Sequence, residues 1–310
     1  MDYIHKAMRY IYDKHYRFLV NAAHGSYNTM SDKEYLEKKF EAILGRKLDI
    51  NNPKTFNEKL QWLKLYDRRP EYSLYVDKYK VKEYVANCIG EEYIIPTLFA
   101  WDNAEEIDFS KLPKQFVLKC NHNSGLGMCI CKDKSKVIFD SVKNNLNKGF
   151  NENYYLKSRE WPYKNVRRKI ICEKFMQDKK RGELLDYKLQ CFDGKFDNVF
   201  VCTGRFSSQG VRYHYFDKDW NYLPYCIYDD IQENNLKLLR PQNYNLMIEI
   251  AEKLSQGVPE ARIDLYEING KVYFGEITLF SQSGFDIDIT YEADLKLGKK
   301  LTLPLKTTIN

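Results

Sequence analysis

The order of local signals along the chain constrains its fold more than any single motif does. Helical patterns fill the first part, and hairpin turns fill the last third. Ile4, Met8, Ile11, Phe18 and Leu19 recur with basic residues between them over 1–24. That spacing predicts one amphipathic helix, expected to pack on the protein's own body, with a membrane surface as the alternative. Ser31 with Glu34 and Thr55 with Glu58 carry capping-box spacing and open helices over 31–45 and 55–67. Asn51–Asn52–Pro53 is a turn, and 77–88, 138–150 and 243–256 read as further helices. Ile94–Ile95–Pro96 begins an extended segment, and Lys169–Met176 reads as a strand that ends in a linker. Hairpins are expected over 186–203 around Asp193–Gly194 and over 261–278 around Asn269–Gly270. Helices first and hairpins later describe an α+β plan rather than a regular βαβ series.

Composition removes several alternatives. The chain has 310 residues, long enough for a core without disulfide or metal staples. It is 15% aromatic, too rich for a disordered chain. No apolar run is long enough to span a membrane, and no fixed repeat period is present. The net charge of +6 suits a protein that meets anions, and it equally suits an ordinary lysine-rich surface. A concentrated basic stripe is missing, so nucleic acid is not an expected partner. Six of the eight cysteines fall in apolar, strand-like runs, where a thiol behaves as a small hydrophobe. With no signal peptide at Met1–Asp2–Tyr3, they read as reduced thiols of a cytosolic protein. Cys129 and Cys131 lack a second pair at zinc spacing and read as strand core.

Three places carry chemistry. Phe116–Val117–Leu118 and Met128–Cys129–Ile130 are short strands joined by Asn121–His122–Asn123–Ser124–Gly125–Leu126–Gly127. A glycine hairpin of this kind can lay backbone N–H groups over phosphates, with Lys119 reaching phosphate oxygens; many such hairpins are only turns. His122 could donate to phosphate or act as a base, or merely cap the turn. Asp264 and Glu276 stand inside apolar strands, where an acid is costly unless paired or bound to a cation. Two adjacent carboxylates suit magnesium beside polyphosphate. They can equally be solvent-facing acids of an edge hairpin. A two-residue Asn269–Gly270 loop pairs 264 with 275 and sets the acids on opposite faces. A metal site therefore predicts a loop longer by one residue, with Gly270 in a bulge at positive φ. Finally, Ile170–Met176 can serve as an inter-lobe linker whose backbone clasps adenine.

Taken in this order, the segments resemble the ATP-grasp superfamily, and more closely its TupA-like branch of polysaccharide-biosynthesis clusters. The segments that carry the resemblance are Asn52–Lys59, Asp77–Lys78 with Ile95–Pro96, Phe116–His122, Arg159–Asn165, Asp186–Lys188 and Phe274–Thr278, within residues 35–304. It departs from the family pattern at Thr278, where an Asn is usual, and at Gly125–Leu126–Gly127, where the loop often has Gly-Gly.

The resemblance implies an α+β ATP-grasp fold, two lobes clasping ATP behind an N-terminal helical segment. The expected divisions are 1–50, 51–112, a small lobe over 113–172 and a large lobe over 173–310. It implies ATP-dependent activation of a carboxylate as acyl phosphate and capture by an amine, joining an amino acid or amine to a uronic acid of a cell-surface polysaccharide. A sugar kinase or glycosyltransferase with the same nucleotide site is the alternative. ATP would contact Lys78, Lys119, His122, Ser124, Gly125, Gly127, Glu173, Lys174, Phe175, Met176 and Asp186. Asp264, Glu276 and Thr278 would hold Mg2+. Arg262, Arg205 and Lys188 would be catalytic, and Ser281, Ser283 and Gly284 would meet the carboxylate-bearing sugar or the amine. A cytoplasmic protein, peripherally attached to the inner face of the membrane through partners, is the expected setting.

Overall fold

Polar caps place the helices, and the chain is described here by a computed structural model over residues 3–178, 184–204, 210–228 and 238–305. The expected first helix is two, α1 Tyr3–Tyr12 and α2 Lys14–Ala23. Asp13 divides them: its extended backbone ends α1, and its carboxylate accepts from the His15 and Tyr16 N–H groups at 2.9 Å, capping α2. Ser31 caps α3 Asp32–Leu44, which Gly45 ends at φ 69°. Thr55 and Glu58 form a reciprocal capping box that opens α4 Phe56–Tyr66. The helix expected over 77–88 starts later. α5 Tyr72–Val76 precedes it, and Asp77 then accepts from Tyr79 and Lys80 N–H to set the turn into α6 Val81–Ile89.

Two antiparallel sheets follow. The smaller has β1 Thr97–Trp101, β2 Phe116–Cys120, β3 Cys129–Cys131 and β4 Ile170–Lys174, in the order β1-β4-β2-β3. α7 Phe139–Phe150 packs on β2, and Phe116, Leu118, Cys120, Leu146, Ile170 and Cys172 form the core on that face. α8 Tyr154–Ser158 follows. β1 pairs with β4, and Ala104, Ile107, Phe109 and Leu112 join the same core, so residues 97–112 pack with the small sheet.

The larger sheet has β5 Asp186–Phe192, β6 Lys195–Thr203, β7 Arg212–Phe216, β8 Tyr222–Leu223, β9 Glu260–Ile268 and β10 Lys271–Thr278. Its order is β10-β9-β5-β6-β7-β8. α9 Tyr244–Leu254 and α10 Tyr291–Lys300 complete the chain. Phe56, Leu60, Val81 and Val85 share one core with Leu189, Met247, Ile263 and Leu297. The helices after residue 51 therefore belong with the C-terminal sheet rather than to a region of their own. The cysteines at 120, 129, 131, 172, 191 and 202 lie in strands, and no disulfide joins any of the eight. Among the described residues, no helix is long and apolar enough to cross a membrane.

α2 meets the body: Phe18 stacks on Tyr27 at 4.8 Å and contacts Tyr35 of α3. α1 does not bury its apolar side, contrary to expectation; Ile4, Met8, Ile11 and Tyr12 are exposed.

Candidate active site

The β9–β10 hairpin turns through Asn269 (φ 51°) and Gly270 (φ 76°), pairing Ile268 with Lys271. This is the two-residue loop that was expected to separate the acids. The extra residue sits farther along. Phe274 pairs with Leu265 and Glu276 with Asp264, so Gly275 is a bulge. That slip turns Glu276 onto the face of Asp264, directly opposite it. Glycine suits the tight space there, since a Cβ would meet the Asp264 carbonyl oxygen and the Tyr266 ring at 3.0 Å. The expected bulge exists, at Gly275 rather than Gly270.

β5 lies beside β9 and brings Lys188 into register with Asp264. Lys188 Nζ contacts Asp264 and lies 2.9 Å from Asp186 Oδ2. Arg262 clamps Asp264 with Nε to Oδ1 at 2.6 Å and Nη2 to Oδ2 at 2.9 Å. The same Nη2 reaches Glu276 Oε1 at 3.2 Å and the Thr278 hydroxyl at 2.9 Å. Lys78, from the turn before α6, reaches Glu276 Oε2 at 3.1 Å. Its backbone N–H donates to the Asn121 carbonyl, and the Asn121 side chain donates to Asp77, which ties this turn to the start of the glycine loop.

The carboxylates differ. Burial acts to raise Glu276, but Lys78, Lys188 and Arg262 outweigh it and hold the group far below the usual glutamate value. Asp264 is raised, by burial first and by Asp186 and Glu276, against the pull of Arg262 and Lys188. Burial and Arg262 act to lower Lys188, yet the carboxylates of Asp264, Asp186 and Glu276 leave it raised. Glu276 keeps 31% of its side chain exposed, and Asp264 keeps 3%.

Lys119 stands on β2, and its Nζ lies 2.7 Å from Glu173 Oε2. Lys82 of α6, not singled out in the sequence, holds the other Glu173 oxygen at 2.5 Å. Burial would raise Glu173, but the two ammonium groups leave it lowered. Glu173 thus anchors Lys119 and Lys82. The Lys174 N–H is taken by the Pro96 carbonyl at 3.0 Å. Half-buried Phe175 and Met176 follow. Asp178 then accepts from the Asn269 N–H at 2.8 Å, fastening this linker to the acidic hairpin.

In the glycine loop, Ser124, Gly125 and Leu126 are exposed. Gly125 (φ 84°) has open space around it, whereas Gly127 (φ 73°) packs against Gly149 so closely that neither has room for a side chain. His122 is buried, edge-on to Phe150, and burial with nearby Arg168 pushes its imidazole down to about 4. It is a neutral interior residue beside the glycine loop.

The expected substrate residues are also turned inward. Ser281 and Gly284 are buried, and the Ser283 hydroxyl donates to the buried Glu160. Gln282, Ser283 and Gly284 all have left-handed backbone, φ 48°, 53° and 62°. Sequence reasoning missed what holds them. Lys64 Nζ, fully buried, donates to Ser283 O at 2.6 Å, Ser158 O at 2.9 Å and Gln61 Oε1 at 3.1 Å. Burial pushes Lys64 down to about 7 against the pull of Glu160. The signal was the run Asn57, Gln61, Lys64, polar residues at the spacing of one buried helix face. Arg205 lies outside the described residues.

The donor set fits magnesium in kind. Mg2+ takes one or two protein carboxylates and completes its shell with water and phosphate. Asp264 and Glu276 face each other in register, with the Thr278 hydroxyl 3.4 Å from Glu276 Oε1. Arg262, Lys188 and Lys78 occupy their oxygens, so an ion there would share those partners.

A family model described as TupA-like ATPgrasp matches residues 58–302. No curated protein matches the chain by sequence. Among solved structures, D-alanine–D-alanine ligase from Helicobacter pylori is similar at 15% identity, with 80% of this chain and 69% of that one covered and a TM-score of 0.44. The Bacillus anthracis D-alanine–D-alanine ligase complexed with ATP is similar at 17% identity over 74% and 62%, TM-score 0.40. The ATP-grasp ligase PsnB, complexed with a minimal precursor, Mg and ADP, is similar at 8% over 83% and 65%, TM-score 0.37. The chain thus spans just under two thirds of the length of the latter two. With the family model covering most of it, the chain belongs to the TupA-like ATP-grasp family.

Proposed function

We propose that this chain is an ATP-dependent carboxylate–amine ligase that works through an acyl phosphate in the making of a cell-surface polysaccharide. The observation that carries this reading is the bulge at Gly275, which sets Asp264 and Glu276 face to face within reach of Arg262, Lys188 and Lys78. Lys119 and the exposed Ser124–Gly125 segment would receive the phosphates, and Phe175–Met176 the adenine. Mg2+ on Asp264 and Glu276 would supply charge neutralisation between phosphate oxygens.

The chain's own groups do the rest. Lys78 bridges the acidic hairpin and the glycine loop, so closing the lobes on ATP keeps one ammonium beside the phosphates. Arg262 touches Asp264, Glu276 and Thr278 at once, and its fork fixes the acids beside the place where the phosphates would lie. Lys188, between Asp186 and Asp264, stays protonated and offsets the charge that builds on the phosphoryl oxygens. The substrate carboxylate would attack the γ-phosphate, and the amine would then displace phosphate from the acyl phosphate. A uronic acid and an amino acid are the expected pair, in a protein working at the cytoplasmic side of the membrane.

The test is ADP and phosphate release against a panel of uronic acids and amino acids. Release that needs both a carboxylate and an amine, with an amide product, is expected. ADP release that leaves phosphate on a sugar hydroxyl, or turnover that consumes a nucleotide sugar instead of ATP, would replace the ligase by a kinase or a glycosyltransferase.

A further inference from the structure

α1 is amphipathic, and it is mounted the wrong way round for a helix that serves the protein's core. At 100° per residue, Ile4, Met8, Ile11 and Tyr12 fall on one side, while Arg9 and the capping Asp13 fall opposite. The polar side faces the body. Tyr10 Oη donates to Asn21 of α2 at 2.8 Å, Arg17 of α2 donates to the Tyr10 and Ile11 carbonyls, and the Arg9 guanidinium lies 4.5 Å over the Tyr16 ring. The apolar side faces solvent, with Ile4 67%, Met8 54%, Ile11 61% and Tyr12 81% exposed. Four such side chains on one helix face make a contiguous patch rather than scattered exposure.

The charges around the patch select its occupant. Lys6, Arg9, Lys14 and Arg17 stand on these two helices against two carboxylates among the described residues, Asp13 beside Arg9 and Glu41 of α3 at 3.6 Å from Lys14. Lys14 keeps 71% of its side chain exposed. His5 lies beside the apolar face, Lys6 lies opposite it, and both are exposed. An apolar strip on one side and basic residues on the other match the boundary between acyl chains and anionic headgroups, where such helices lie in the plane of the surface. α2, by contrast, spends its apolar side on Tyr27 and Tyr35, so it fixes α1 to the body and leaves it presented.

We infer that α1 is a membrane-surface helix that docks this protein on anionic lipid through Ile4, Met8, Ile11 and Tyr12, with Lys6 on its polar side supplying positive charge. The inference is independent of the reaction the site performs.

Flotation of the full chain with phosphatidylglycerol–phosphatidylcholine vesicles, and with phosphatidylcholine alone, tests it. Wild type is expected to float with the anionic vesicles, at least tenfold less with the neutral ones, and less as salt rises. Ile4→Asp with Ile11→Asp should abolish flotation, and Lys6→Glu should weaken it several-fold. None of these residues touches the candidate active site, so thermal unfolding and ATP turnover without vesicles should not change. Wild type that fails to float with anionic vesicles overturns the inference. So does flotation that the double substitution leaves intact. A concentration-dependent dimer in sedimentation that the double substitution dissolves assigns the patch to a second copy of the chain instead.

Discussion

Each sheet presents one glutamate fastened by lysines, and the two are built in opposite senses. On the small sheet, Glu173 is buried, and Lys119 and Lys82 both converge on it. Its carboxylate serves to position an ammonium. On the large sheet, Glu276 is nearly a third exposed, and Lys78 and Arg262 converge on it from two sides. There the cations position a carboxylate. The small sheet thus has two cations to one carboxylate, and the large sheet balances Asp186, Asp264 and Glu276 with Lys78, Lys188 and Arg262. An excess of cation suits nucleotide phosphates, and a cluster of carboxylates suits a divalent ion.

Removing the anion should have the largest effect. Glu276→Gln is isosteric and should keep the fold, but it leaves Lys78 and Arg262 without their counter-charge, so unfolding should come at lower denaturant than in wild type. If Glu276 is the exposed anion of the large sheet, turnover should fall by a factor of ~10^3 or more, on the order of 4 kcal/mol of barrier. Steady-state ADP release checks it. Activity within tenfold of wild type would mean that the two glutamates are both structural and that the contrast between the sheets has no catalytic meaning.

Lys64 sharpens the same contrast from behind the site. It is a buried cation that serves carbonyl oxygens of Ser158 and Ser283, close to Glu160, rather than a ligand. Lys64→Met would strip three acceptors and leave Glu160 uncompensated, a loss of about 3 kcal/mol in denaturant unfolding. Adding Glu160→Gln should recover part of that loss, because the stranded acid is then neutral. Strict additivity of the two changes would show that the groups do not act as a pair.

Lys119→Met tests the small sheet directly. A charge-assisted bond to phosphate contributes about 1.5–3 kcal/mol, so KM for ATP should rise roughly ten- to hundredfold. Glu173→Gln should raise it less, since Lys119 would keep its charge and lose only its anchor. Equal effects from the two would make positioning, not charge, the contribution of this sheet.

Much of this was legible in the sequence for reasons that are local. Thr55 with Glu58, the Asp193–Gly194 and Asn269–Gly270 turns, and the strand cysteines all report their surroundings within a few residues. The register of the acidic hairpin was legible in outcome and not in cause. Same-face acids demanded an extra residue, but a turn that looked able to hold it did not. The deciding contact was the lack of room beside Asp264 and Tyr266 at Gly275, which no neighbour in sequence reveals. β7 and α10 were missed because the first is a five-residue strand with a histidine at its centre and the second is mostly polar. The inward turn of Ser281, Ser283 and His122 was missed because their partners Glu160, Lys64 and Phe150 come from distant elements or from the far side of the loop. The direction of α1 was missed because hydrophobic periodicity defines a face without saying which way it points.

The smallest expected effect concerns whether His122 adds a third cation to the small-sheet side. Its imidazole is pushed down to about 4 by burial and by Arg168, so the native state holds it neutral. In the unfolded chain it titrates near 6.5. Between those values the unfolded chain binds a proton that the native chain refuses, so stability must fall as pH falls. The contribution is fully present above about pH 7. It should drop by about 1.4 kcal/mol at pH 5.5, one pH unit below the unfolded value. Asp286, pushed up to about 7 by burial, titrates in the same window with the opposite sign. It is common to wild type and to His122→Gln, so the difference between their pH–stability curves cancels it. That difference should be flat above pH 7 and should move against wild type by about 1.4 kcal/mol at pH 5.5. A flat difference throughout would mean that His122 accepts a proton in the native state. It would then have to leave its place beside Phe150, and the small sheet would hold a titratable phosphate ligand in addition to Lys119.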